Sequence, residues 1–350
     1  MTAPLTRKRL IITLAICLGV LALALLISPG MGTQRDLVGA SDAWRALLTG
    51  QTDSLAYRIG FGLRFPRALK ALVAGAVLAL CGAVFQTLFR NPLATPFTLG
   101  IAGGASLGAL IAFQAGWTVT ILGISSVSIG AFGGALAVLL VVMLLARSFA
   151  RLSGNTLLLA GVTIGFFCSG MMMFVTYLAD VTETFAIVRW MMGSLDTVFL
   201  HELAALLPIV VPAVIILHLQ VGKLNQYEVG AEIAATRGVH VVRLQVISVL
   251  VGSLAVAAVV SMCGPIGFVG LIIPHLTRLV VGRDHRILLP AATILGAAFL
   301  IVCDFLTTLA PAWYGAIAGR EATAAQLPIG VMTAVLGTPV FLILLCSRIR

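Results

Sequence analysis

Few residues in this chain have the chemistry to react, and their spacing argues against an enzyme. Asp304 is the one clear carboxylate inside a long apolar run, in Val302-Cys303-Asp304-Phe305. An ionisable group at membrane depth is a functional candidate. It can serve a proton relay or a hydrogen bond that packs helices, and we take the second. The runs Met171-Met172-Met173 and Met191-Met192 carry sulfur that could meet a soft metal or haem. Consecutive residues point around a helix, however, so adaptable packing accounts for them better. His201, His218, His240, His275 and His285 have no i,i+4 partner and no carboxylate at zinc spacing, which predicts no metal site. Cys17, Cys81, Cys168, Cys263, Cys303 and Cys346 sit in apolar runs without a CxxC, which predicts neither disulfide nor zinc. Gly222-Lys223 is followed by Leu224 and lacks the upstream glycine of a phosphate-binding loop. Any ATP drive must therefore come from a partner.

The elements that carry these residues are set by composition. The chain has 350 residues, 60% hydrophobic and 10% charged, with a mean hydropathy of +1.13. Soluble domains run at about 45–50% apolar and about 25% charged. Too little charge remains to coat a water-soluble globule, which excludes a cytosolic enzyme, a nucleic-acid-binding domain and a disordered regulator. The sequence predicts an integral membrane protein. Apolar windows fall at about 10–28, 67–89, 97–115, 121–146, 155–179, 198–218, 243–263, 266–281, 287–308 and 327–346. They predict an all-α membrane protein with about ten transmembrane helices, a single transmembrane domain over 1–350. Thr6-Arg7-Lys8-Arg9 before Leu10–Ser28 imitates a signal peptide, but no small-x-small cleavage site follows, so we read a retained first helix.

The net charge of +10 would suggest nucleic acid in a soluble protein. Here it records topology. With both termini in the cytoplasm, the inner segments hold 14 of the 22 basic residues against three acids, Glu228, Glu232 and Asp284. That is the asymmetry of the positive-inside rule. Residues 29–66 read as a long outer loop in which Trp44, Leu47 and Leu48 suggest a short interfacial helix. Residues 219–242 form the longest inner loop, reading as one or two short helices closed by glycine. Cys81-Gly82 followed by Pro92 recurs as Cys263-Gly264 followed by Pro274, an offset of 182. With the opposite directions of the two helices, this suggests two inverted five-helix repeats, a transporter architecture. The prolines and glycines there mark backbone that borders a cavity rather than lipid.

Longer motifs carry a family resemblance. In the first half they are Leu63-Arg64-Phe65-Pro66-Arg67, Gly82-Ala83-Val84-Phe85-Gln86, Arg90-Asn91-Pro92-Leu93-Ala94-Thr95-Pro96 and Leu99-Gly100-Ile101. In the second half they are Gly264-Pro265-Ile266-Gly267-Phe268-Val269-Gly270, Ile273-Pro274-His275, Asp284-His285-Arg286 and Leu327-Pro328-Ile329-Gly330-Val331. With Arg189-Trp190-Met191-Met192-Gly193, they resemble type II ABC importer permeases of the iron-siderophore, haem and cobalamin group. The resemblance runs from about residue 60 to the C-terminus.

The resemblance implies a permease in a bacterial inner membrane, dimeric with a second copy or a homologue. Two ATPase subunits would bind on the cytoplasmic face and a periplasmic binding protein outside. The chain itself would bind no cofactor, ATP and Mg residing on the ATPase. It also implies roles for residues. The family's coupling segment, Leu-Gly-Glu-Glu-x-Ala-x-x-Leu-Gly, fits at Gly230, Ala234 and Gly238, with Arg237 where leucine is common, and the coupling candidates in this inner loop are Glu228, Gly230, Ala231, Glu232, Ala234, Arg237 and Gly238. A solvated amphipathic loop would read similarly. Asn91, Leu93, Asn155 and Thr156 match the cytoplasmic gate, although Asn91 would also end a helix before proline. Arg64 and, with less support, Arg67 match docking points for acids on the binding protein, or else anchor lipid headgroups. The second docking arginine of the family falls on Thr308, so Arg320 is the candidate substitute. A proton- or ion-coupled carrier using Asp304 is the alternative class, weakened because such carriers normally need several ionisable groups at mid-membrane.

Overall fold

The computed structural model describes residues 7–30, 39–117, 120–121, 124–148, 154–196, 200–318 and 326–349. Helices occupy all ten apolar windows. Among the described residues, seven are long and apolar enough to cross a membrane, and Ile101–Gln114, Val269–Val281 and Ile329–Ile343 are shorter. The chain begins with α1 (Arg7–Ile27), α2 (Ala40–Leu48) and α3 (Leu55–Ile59), and a π-helical turn, Gly60–Arg64, leads into α4 (Phe65–Leu88). The outer loop read from sequence is thus largely helical. Trp44 on α2 donates from its indole nitrogen to the Leu26 carbonyl at 2.7 Å and meets the Phe61 ring edge-on at 5.0 Å.

The core forms around α4. The apolar window within Leu55–Leu88 is 78% buried, against 11% for the window near the N-terminus. Two glycine crossings bring partners in. A Cβ on Gly82 would lie 1.8 Å from the Gly270 carbonyl oxygen, and one on Gly75 would lie 2.2 Å from that of Gly296. Gly270 belongs to α13 (Val269–Val281) and Gly296 to α14 (His285–Ala318). Small residues at crossings are the usual means of close approach where lipid removes the hydrophobic drive between helices. α5 (Ile101–Gln114) and α6 (Ser126–Ser148) pack in the same way, through Gly104 and Gly108 against Gly130 and Gly134. Between them lies a small antiparallel hairpin pairing Thr120 with Ser125.

α4 stops at Leu88 because Arg90 turns left-handed, with φ +48, and Pro92 has no amide to continue the helix. The Asn91 side chain accepts from the Leu93 amide at 2.9 Å, an Asx turn. A 3-10 turn, Pro96–Leu99, and Gly100 at φ +78 then open α5. α7 (Gly154–Leu178) packs on this turn, where a Cβ on Gly161 would lie 2.4 Å from the Leu99 Cα. The matching break in the second half follows α12 (Val241–Cys263), with Gly264 at φ +67, then Pro265, and Phe268 at φ +66. The Ser194 amide donates to the Cys263 carbonyl at 2.7 Å there.

The Cys-Gly anchors do not coincide in the fold. Cys81-Gly82 lies inside α4, whereas Cys263-Gly264 ends α12. The positions that correspond by place are Pro92 and Pro265, each just beyond its helix, an offset of 173. A packing glycine and a helix-ending glycine share a letter but not a cause.

α8 (Val181–Met191) lies between two of the apolar windows. Its signal was present: Asp180 accepts from the Glu183 amide at 2.7 Å, and Glu183 reaches back to the Asp180 amide at 3.3 Å. α9 (Leu200–Leu219) runs across the single residue Gln220 into α10 (Val221–Val229), followed by α11 (Ala231–Thr236) and α12. α15 (Ile329–Ile349) closes the chain. Tyr227 on α10 bonds to Leu88 and Gln245, so the end of α4 and the start of α12 share one face. The start of α4 and the end of α12 share the other, beside α8.

Candidate functional site

Polar side chains gather at both ends of the core. On the α8 face, Arg67 projects from the start of α4 into the bundle. Its Nε donates to both carboxylate oxygens of Asp304 at 2.8 and 3.0 Å, and its Nη1 to Asp196 at 2.9 Å. The same Nη1 meets Gln326 Oε1. Arg189 on α8 completes the chain, donating to the other Asp196 oxygen at 3.1 Å with its side chain 60% exposed. Arg67, Arg189, Asp196 and Gln326, with Ser194 and Pro328, line a small cleft.

The Arg67 guanidinium is turned inward onto two carboxylates of its own chain. Asp304 is not a lone carboxylate at mid-depth. It sits level with the start of α4, with both carboxylate oxygens accepting from Arg67. Arg64 donates to the Pro29 carbonyl at 3.0 Å, and Arg320 lies outside the described residues. Asp196 was missed. Its partner Arg67 is 129 residues away, and no local spacing connects them.

Burial opposes the charge of Asp196, but the Ser194 hydrogen bond with Arg67 and Arg189 outweighs it and holds the carboxyl below its ordinary 3.8. A depressed value in the fold means the ionised group adds stability above pH 3.8 that is lost as pH falls through the folded value. Asp196→Asn should therefore lower the thermal midpoint at neutral pH, with the gap from wild type closing under acid. A gap independent of pH would remove the ion pairs as its cause.

The α10 face carries the second cluster. Asn225 on α10 donates its amide to Asp284 Oδ1 at 2.8 Å. A carboxylate only accepts, so the Asn225 oxygen faces the other way, toward the His285 backbone amide at 2.8 Å and Nδ1 at 2.7 Å. That puts a ring proton on Nδ1, and Nε2 lies 2.8 Å from Thr87 Oγ1 of α4. Arg278 of α13 joins through Gln86 Oε1 at 3.2 Å, and Gln86 donates to the Leu271 carbonyl at 3.0 Å. Four helices thus meet through side chains at one level.

Of the residues matched to coupling, Glu228 touches this cluster. Glu228 is half-buried with Oε2 3.4 Å from His285 Nδ1. Burial pushes its carboxyl up against the pull of Arg278 and Arg283. Gly230 separates α10 from α11 with φ 167, an extended backbone open to any residue. Gly238 at φ +84 takes the left-handed C-terminal position that favours glycine, and the Val239 amide returns to the Ala234 carbonyl at 3.0 Å. Ala234 is buried, Ala231 half-buried, and Glu232 and Arg237 are exposed. Of the residues matched to a gate, Asn91 is half-buried, and Leu93 and Thr156 are exposed. Asn155 lies in the first turn of α7, its side chain outside the described atoms. Asn225, Tyr227, Thr87 and Gln86 were not singled out from sequence. Gln86 and the Asp284-His285 pair were visible only as pieces of motifs.

A bundle of apolar helices with glycine crossings, broken at two proline turns and tied by polar clusters at both ends, is a multi-pass membrane permease. The sequence model of the FecCD transport family matches residues 20–347, and the chain belongs to that family as the permease subunit of an ATP-binding-cassette importer. It is 38% identical to the cobalamin import system permease BtuC of Halobacterium salinarum, covering 82% of this chain and 73% of that one. It is 35% identical to the hemin transport permease HmuU of Yersinia pestis, covering 93% and 94%, and 36% identical to the Fe(3+) dicitrate permease FecC of Escherichia coli, covering 89% and 90%. A solved structure described as an inward-facing conformation of a metal-chelate type ABC transporter superposes with a TM-score of 0.78 at 28% identity, covering 96% of this chain and 99% of that one. Relatives of this kind work with ATPase and substrate-binding partners. None of these findings favours a proton-coupled carrier.

Proposed function

We propose that this chain pairs with a second copy or a related permease around a central path and moves an iron chelate such as a ferric siderophore, haem or cobalamin inward by alternating access. The observation that carries the reading is the family match over residues 20–347. Named relatives handle cobalamin, hemin and ferric dicitrate, ligands that share a chelated metal. The α10 face is cytoplasmic in this reading, as are both termini, because the basic excess lies in the segments on that side. Ten membrane helices form two inverted five-helix repeats over a single domain, in a bacterial inner membrane. The opposed helices α4 and α12, each followed by a proline turn and a short apolar helix, support that arrangement.

Glu228, Gly230, Ala231, Glu232, Ala234, Arg237 and Gly238 couple to two ATPase subunits, where ATP and Mg bind; the chain itself holds no cofactor and hydrolyses nothing. Asn91, Leu93, Asn155 and Thr156 form the inner gate. Arg64, with Arg320, meets acidic groups of the periplasmic binding protein.

Proteoliposomes containing the chain and its co-encoded ATPase, with ATP inside and the binding protein outside, test the reading. A ferric siderophore, haem and cobalamin are offered in parallel. ATP-dependent accumulation of one ligand, lost without the binding protein, is the expected result. Accumulation that ignores ATP and follows a proton gradient would overturn it.

A further inference from the structure

We infer that α10 is a strut joining the coupling segment to the gate, and that Tyr227 and Asn225 are the positioning residues that make it rigid. The inference rests on the coupling role proposed above and names residues outside the set assigned to it. The two short helices differ in kind. α11 buries only Ala234 and leaves Glu232, Ile233, Ala235 and Thr236 exposed, a face free for a partner. α10 buries Leu224 and Tyr227 and bonds to three neighbouring helices.

Tyr227 grips both sides of the turn that ends α4. Its hydroxyl donates to the Leu88 carbonyl at 3.1 Å and accepts from Gln245 of α12 at 3.0 Å. Its own carbonyl accepts from Arg90 Nη2 at 3.0 Å, and the Arg90 guanidinium lies 5.0 Å from the centre of its ring. Leu88 and Arg90 directly precede Asn91 and Leu93, so a displacement of α10 is delivered to the turn that carries those two residues. Asn225 makes the parallel link. It holds Asp284 and His285 at the start of α14, and His285 meets Thr87 on α4. Two separate links from one helix to the same end of α4 prevent rotation as well as translation. A short helix tied in this way moves with its neighbours as a body.

The test uses the whole transporter, with its ATPase, and a reporter independent of ligand. Leu93→Cys in a Cys346→Ser background is labelled with a maleimide, with and without ATP and vanadate. With Tyr227 intact, the labelling rate should change at least fivefold with nucleotide. Tyr227→Phe keeps the ring, the Arg90 contact and the backbone carbonyl while deleting the hydroxyl. It should cut the change below twofold while ATPase subunits still copurify and hydrolyse ATP. Asn225→Leu, which severs the α14 link, should act in the same direction. A full nucleotide response in Tyr227→Phe overturns the strut. So does loss of ATPase copurification, which would make Tyr227 part of the docking surface, and so does no response with Tyr227 present. Uptake of cyanocobalamin, hemin or ferric dicitrate by the unmodified transporter reports separately on the transport reading.

Discussion

Gly82→Ala is expected to destabilise the protein by about 3 kcal/mol or more, at or above the upper end for overpacking a tight core. The added carbon would fall 1.8 Å from the Gly270 carbonyl oxygen, and backbone on both sides leaves no flexible side chain to yield. α4 and α13 must then part along their length, and the Gln86 bond to the Leu271 carbonyl, one turn further along α4, is strained with them. Unfolding in mixed micelles of rising denaturing-detergent fraction measures the loss. Gly133→Ala is the control. Nothing lies within 4 Å of its added carbon, so the better helix propensity of alanine should leave stability unchanged or raised by up to about 1 kcal/mol. Equal losses at both glycines would mean that the crossing distance is not what matters.

Arg67→Leu should cost about 3–5 kcal/mol, because it strands the Asp304 carboxylate in a site where its side chain is only 12% exposed. The double variant Arg67→Leu/Asp304→Leu should recover most of that loss. Removing both charges lifts the desolvation penalty, and Asp196 keeps Arg189. The same unfolding assay and the membrane yield of each variant read this out. A double variant no better than the single would show that the pair acts through packing volume, not charge. Recovery would also exclude Asp304 as a proton site that the fold requires.

Hydropathy located the ten apolar helices because length and charge exclusion are local properties. What it could not give was which face of each helix meets protein. Leu78 and Phe85 are fully buried, while Ile16 and Leu23 are largely exposed, yet all are equally apolar. In a soluble protein a polar face would have told them apart; in lipid no such contrast is needed. The glycines signalled close approach without naming partners. The motif Asp284-His285-Arg286 was visible, but Asn225, which fixes the amide and ring of His285, lies 60 residues away in the inner loop, outside any motif. Asp304 had one of its partners in view as Arg67, assigned a different task because the two are 237 residues apart. α8 was legible from Asp180 and Glu183, but its sequence is too short and mixed to register as a span.

The two shortest core helices carry a consequence for synthesis. α5 and α13, at 14 and 13 residues, rise only about 21 and about 20 Å, against a hydrocarbon layer of about 30 Å. The balance is irregular backbone, which lipid does not tolerate unless protein covers it. The turn before α13 docks against Gly193 and Ser194, already made when the ribosome reaches it. The turn before α5 is covered by Gly161, some sixty residues still to come. During vectorial synthesis the turn before α13 finds part of its cover in place and gains Gly330 and Gly337 of α15 later, whereas the turn before α5 must be sheltered, by α4 or by the insertion machinery, until α7 arrives.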